Sequence, residues 1–173
     1  SGMAPSNKSF AAYRDELAGE FRRLRVGEAA AGGAAPAASD AADERLAQCI
    51  WFDQMFVHGG LRTVSGKPIE ILHPGRWNEE EGPDFRDARL KIGDQTRRGD
   101  VEIHLRASGW RAHRHQLNPV YDGVVLHAYL WGDAAAGRTV NSRGEEIEDL
   151  EMAPALFPDL ETIRQTLHAE DYP

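Results

Sequence analysis

Between Gly82 and His127 this 173-residue chain gathers Asp84, Glu102, His104, His113, His115 and His127. A carboxylate paired with an imidazole is either a metal-ligand pair or an acid/base pair. Glu102 and His104 stand two apart in a stretch where Val101, Ile103 and Leu105 alternate with polar residues, so on a strand both leave the face opposite the apolar trio. Asp84 follows Gly82-Pro83 at the start of the preceding strand. Antiparallel pairing through a turn at Gly93 brings it towards Glu102. Two carboxylates are the usual protein share of a Mg²⁺ site, with water and substrate phosphate supplying the rest. The expectation is that Asp84 and Glu102 hold Mg²⁺ or Mn²⁺ and that His104 orients or deprotonates water.

His113-x-His115 is a second cluster. Residues two apart do not share a helix face, so the two can meet one metal only if their backbone is not helical. His127 lies in the most apolar run of the chain, where a hydrogen-bonded structural histidine is the commoner outcome. A different reading lets His104, His113, His115 and His127 converge on Zn²⁺ or Fe²⁺ in a small-molecule enzyme. A third makes the chain a catalytically inactive interaction module. No Walker motif, Gly-x-Gly-x-x-Gly or Gly-x-Ser-x-Gly is present, and no organic cofactor is implied. Cys49 is the only cysteine, which excludes an internal disulfide and a multi-cysteine zinc site and fits a cytoplasmic protein. No apolar run approaches the roughly 20 residues of a membrane span, so no membrane partner is expected.

The net charge is −8, yet Arg86 to Arg114 holds eight basic residues against four acids. A basic window around an acidic pair suits a phosphate-bearing substrate such as nucleic acid. Arg86, Arg89, Arg106 and Arg114 are its candidate phosphate contacts. Exposed strand faces also carry such residues without function.

The elements that must position these groups follow from periodicity. Ser9 to Leu24 reads as an amphipathic helix, and Gly27 to Ala38 as an Ala/Gly-rich linker, so residues 1–38 stand apart from a single domain over 39–173. A helix capped by Ser39 or Asp40 runs to about Val57, with Leu46, Ile50 and Phe56 inward. Leu61–Val64 and Pro68–Leu72 read as a hairpin. Phe85–Ile92 and Gly99–Arg106 read as strands, Trp110–Leu117 as a short helix stopped by Asn118-Pro119, Val124–Trp131 as a central strand covered on both faces, and Pro158–His168 as a last helix. The expected fold is α/β (α+β), a mixed sheet flanked by helices.

The chain resembles a bacterial family known only as a domain of unknown function. The resemblance runs from about Glu44 to Met152. It rests on Ile69-Glu70-Ile71-Leu72-His73-Pro74-Gly75, on Asn78 with Gly82-Pro83-Asp84-Phe85 and Ala88-Arg89, and on Gly99-Asp100-Val101-Glu102-Ile103-His104. It continues through Ala107-Ser108, Trp110, His113, His115, Tyr121 and Val124 to His127. Gly109 and Asn118 stand where that family tends to carry Asp. A looser likeness, at the level of element order, is to the PD-(D/E)xK nuclease superfamily. It implies a restriction-endonuclease-like sheet, with Pro83-Asp84 and Glu102-Ile103-His104 on the matching strands. His104 replaces the lysine, and Glu44 matches an acid that some members place on the preceding helix. Asn78, His113, His115, Tyr121 and His127 from the first resemblance, and Glu44 from the second, are the secondary site candidates.

Overall fold

The computed structural model describes residues 40–134 and 137–173. The helix expected over Ser9–Leu24 and the linker after it lie outside the described residues. Helix α1 (Asp40–Phe52) turns Leu46, Ala47, Ile50 and Trp51 inward, the spacing of one helical face. It stops short of Val57 because Gln54 is left-handed (φ 52°) and Met55 N–H reaches back to Ile50 C=O. Phe56 instead bridges to Leu156.

Strands β1 (Ile69–His73), β2 (Arg76–Trp77), β3 (Phe85–Ile92), β4 (Gln95–Arg106), β5 (Val124–Trp131) and β6 (Glu148–Glu151) form one mixed sheet in the order β1-β3-β4-β5-β6, with β2 also paired to β3. The expected Leu61–Leu72 hairpin shrinks to an Arg62–Pro68 bridge, because β1 takes β3 as its partner. The β3–β4 hairpin turns on Gly93-Asp94, where Gly93 supplies a positive φ of 58°. The β4–β5 and β5–β6 pairs are parallel. The fold is therefore a mixed α+β layout, as the sequence implied. Strand β6 is an addition the sequence did not disclose.

Parity divides the sheet. Val101 and Ile103 of β4, Leu126, Ala128 and Leu130 of β5, and Leu90 and Ile92 of β3 make the main core with α1 and with Ile163 of α3 (Leu160–Thr166). Each such Val, Leu or Ile side chain contributes roughly 1.5–3 kcal/mol of burial. On the other face stand Glu102 and His104, register-paired with His127 and Tyr129; Asp149 of β6 pairs with His127. The β4–β5 crossover roofs this face. It contains helix α2 (Gly109–Ala112) and 3₁₀ turns at His115–Leu117 and Pro119–Tyr121, and its Trp110 and Tyr121 pack with Val124 and Ile147 in a second, small apolar cluster. Gly99 is required here: a Cβ would stand 2.4 Å from Val125 Cγ1 and 2.7 Å from the Gly123 carbonyl.

Candidate metal centre

A bulge in the β3–β4 pairing aims the first carboxylate. Phe85 pairs with Val101 but Ala88 with Gly99, and the extra residue is absorbed at Asp87, whose φ is 63°. Asp87 N–H is fixed by Asp100 Oδ1 at 3.1 Å. Asp84 consequently lies across from Glu102. Its Oδ2 accepts from Ile103 N–H at 2.8 Å and its Oδ1 from Gln48 Nε2 at 2.9 Å, while its own N–H donates to Glu102 Oε2 at 3.1 Å. Asn78 braces the approach, donating from Nδ2 to the Pro83 carbonyl at 2.9 Å and from its backbone to the Asp84 carbonyl at 2.8 Å. Burial, and after it the neighbouring Glu102 charge, pushes the Asp84 carboxyl up to about 8; burial pushes Glu102 up to about 8. The Glu44 charge on α1 raises both further.

With Oε2 occupied, Glu102 turns Oε1 towards the imidazoles. His115 Nε2 is 3.1 Å from it and His104 Nε2 3.6 Å. His104 Nε2 is in turn 3.1 Å from His113 Nδ1. The short continuous helix expected over Trp110–Leu117 is corrected here. It breaks after one turn because Arg114 is left-handed (φ 61°), and the chain resumes as a 3₁₀ turn at His115. That break allows His113 and His115, two apart, to face one point. The ligand atoms of His104, His113 and His115 lie within 4.8 Å of one another.

Two observations test whether these groups fit a metal. His115 Nε2 is sealed from solvent and 3.1 Å from Glu102 Oε1, yet it makes no aligned hydrogen bond; proximity without alignment means the two groups face a shared point rather than each other. Burial also holds the His104 pKa well below its usual range and that of His115 down to about 4, so both are neutral imidazoles, the form a metal binds. Tyr121 stacks on His115 with ring centroids 3.7 Å apart, and Trp110 anchors the roof by donating Nε1–H to the Val140 carbonyl at 2.9 Å.

Behind His104 the network continues into the sheet. His104 Nδ1 is 2.8 Å from His127 Nε2, and His127 Nδ1 is 2.9 Å from Asp149 Oδ1. Thr139 Oγ1 donates to the same oxygen at 2.6 Å. His127, read from sequence as a structural histidine, is hydrogen-bonded at both nitrogens. Asp149 and Thr139 escaped the sequence reading; Asp149 sits in the acidic run Glu145–Glu151, which looks like a solvated surface.

A family model described as "Protein of unknown function (DUF2851)" matches residues 44–172. The chain belongs to that family. No curated protein and no solved structure matches it. The span that DUF2851 covers contains every residue of the cluster, from Glu44 to Asp149. The two departures noted in sequence are readable in place. A Cβ at position 109 would stand 2.6 Å from His104 Cγ, so Gly109 lets the ring lie where it does. Asn118 Oδ1 accepts from Val120 N–H at 3.1 Å, capping a 3₁₀ turn, a task an Asp would also perform. Of the four candidate phosphate contacts, Arg86 is engaged by Asp100 at 3.1 Å and by the Glu81 carbonyl. Arg89, Arg106 and Arg114 are exposed. Among the described residues no helix is long and apolar enough to cross a membrane.

Proposed function

We propose that this protein is a metal-dependent hydrolase of phosphodiesters, nucleic acid among them, with a mononuclear centre held by His104, His113 and His115 and bordered by Glu102, which leaves one coordination position for water or substrate. The spacing of the donors carries the reading. In a tetrahedral site with bonds of roughly 2.0–2.1 Å, neighbouring donor atoms stand roughly 3.3 Å apart. The three neighbour contacts are 3.1, 3.1 and 3.6 Å. Three imidazoles and one carboxylate favour Zn²⁺ or a neighbouring transition ion over Mg²⁺, which takes oxygen ligands. This reading sets the centre on the imidazole side of Glu102 rather than in an Asp84–Glu102 clamp for Mg²⁺ or Mn²⁺, because three histidines converge there within 4.8 Å while each Asp84 oxygen already accepts one hydrogen bond.

A bound divalent ion would supply Lewis acidity towards a phosphoryl oxygen and acidify water. The protein's own groups do the rest. Asp84, its carboxyl pushed up to about 8, can hold or release a proton near neutral pH beside the centre. Arg106 follows His104 by two residues, on the same strand parity, and Arg114 sits between two ligand histidines; both are exposed guanidiniums suited to phosphate oxygens. Trp110 and Tyr121 pack on His115 and bury it, while His113 stays exposed at the mouth of the site.

The test is elemental analysis of the purified protein followed by assay on bis(p-nitrophenyl) phosphate and on single- and double-stranded DNA. Roughly one transition-metal ion per chain is expected, with metal and activity both lost in His104→Ala and His115→Ala. A protein that neither retains nor takes up such a metal, or that cleaves no phosphodiester when loaded, would sink this function.

A further inference from the structure

We infer that Asp149, acting through His127, is a positioning residue that locks His104 in the Nδ1–H tautomer, so that its Nε2 lone pair is presented to the centre. The inference rests on the metal-site reading above and deepens it, since it says how the protein prepares one ligand before any metal arrives.

An ionised carboxylate accepts hydrogen bonds and donates none, so the 2.9 Å contact between Asp149 Oδ1 and His127 Nδ1 places the proton on Nδ1. Thr139 spends its own hydroxyl proton on the same oxygen at 2.6 Å, which pins the carboxylate and leaves it no freedom to turn away. A neutral imidazole has one N–H. His127, wholly buried in the middle of β5, is therefore left with a lone pair on Nε2. That lone pair is 2.8 Å from His104 Nδ1, which must then be the donor. His104 has one N–H as well, so its Nε2 is bare, and Nε2 is the atom 3.1 Å from His113 Nδ1 and 3.6 Å from Glu102 Oε1. One group that cannot donate thus sets the proton position at each link. Run the other way, the chain would put a proton on His104 Nε2 and close it to a metal.

The scaffold makes this setting stiff. Glu102, His127 and Asp149 are register partners across three adjacent parallel strands, and His104 is two residues along from Glu102. Partners of this kind orient metal-bound histidines elsewhere, and their loss costs roughly 10–100-fold in affinity.

The experiment has two readouts. The first is ¹⁵N NMR of the histidine rings in metal-free protein, which reports the His104 tautomer. The second is titration with Co²⁺, followed by visible absorption. The wild type is expected to show His104 as the Nδ1–H form. His127→Phe keeps ring volume but removes the acceptor; it should move His104 towards the Nε2–H form and weaken Co²⁺ binding by about 10–100-fold. His127→Gln, whose carboxamide oxygen can accept from Nδ1–H, should recover most of that loss, which a merely structural role would not predict. Should His127→Phe not fold, Asp149→Ala on the edge strand β6 makes the same test, with the same direction of change. An Nε2–H wild-type tautomer, or unchanged Co²⁺ affinity in a folded His127→Phe, overturns the inference. If the wild type binds no Co²⁺, the proposed function fails, and the NMR result alone still decides the tautomer lock.

Discussion

Replacing Asp84 by Asn should stabilise the metal-free protein at high pH and not at low pH. Asp84 keeps some solvent contact, but its two oxygens are tied to Gln48 and Ile103 and it lies against Glu102. Its carboxyl rises from 3.8 to about 8 on folding. The folded state therefore holds this proton more tightly than the unfolded chain. Stability from the group is fully present below pH 4 and is lost as pH climbs towards 8, by which point the folded protein must either keep a proton that the unfolded chain has released or bury a charge. The full shift corresponds to an upper bound of roughly 6 kcal/mol at 1.36 kcal/mol per pH unit. The partial exposure of the side chain and relaxation around Glu102 reduce the expectation to about 2–4 kcal/mol. Asn keeps both contacts: its oxygen accepts from Ile103 N–H and its NH₂ meets Gln48, whose amide turns over. Urea melts of wild type and Asp84→Asn at pH 5 and pH 9 measure the difference, with metal removed by chelator. The variant should gain about 2–4 kcal/mol on the wild type between those two pH values. A stability difference that does not change with pH, or that changes with the opposite sign, refutes the claim that burial and Glu102 hold this carboxyl near neutrality.

Two glycines give further tests. Gly99→Ala places a methyl against Val125 and the Gly123 backbone, and a loss of about 2–3 kcal/mol in a denaturant melt is expected because backbone cannot move aside cheaply. Gly109→Ala pushes on the His104 ring at 2.6 Å. Its signature should be a drop in Co²⁺ affinity of about tenfold, larger in proportion than its effect on the melting midpoint.

The sheet was legible because strand parity is a physical constraint that shows in the letters. Val101, Ile103 and Leu105 alternate with Glu102 and His104, and the structure puts the two sets on opposite faces as period two requires. The β3–β4 hairpin was legible for a similar reason, since Gly93 supplies the turn. The approach of Asp84 to Glu102 followed from both. What could not be read was anything set by a single dihedral or by a long-range pairing. Arg114 carries no mark of its left-handed conformation, so a continuous helix seemed to keep His113 and His115 apart. Strand β6 is four residues long and acidic, and Asp149 becomes distinct from its neighbours only once β6 lies against His127. Arg86 looked like a free cation until Asp100 was placed beside it.

The break at Arg114 has a consequence for how the centre comes together. Glu102 and His104 belong to a strand hydrogen-bonded on both sides, whereas His113 and His115 flank Arg114 where α2 gives way to the 3₁₀ turn. Two donors are thus mounted on the wall and two on the door. An ion bound by donors of both kinds would therefore tie the crossover to the sheet.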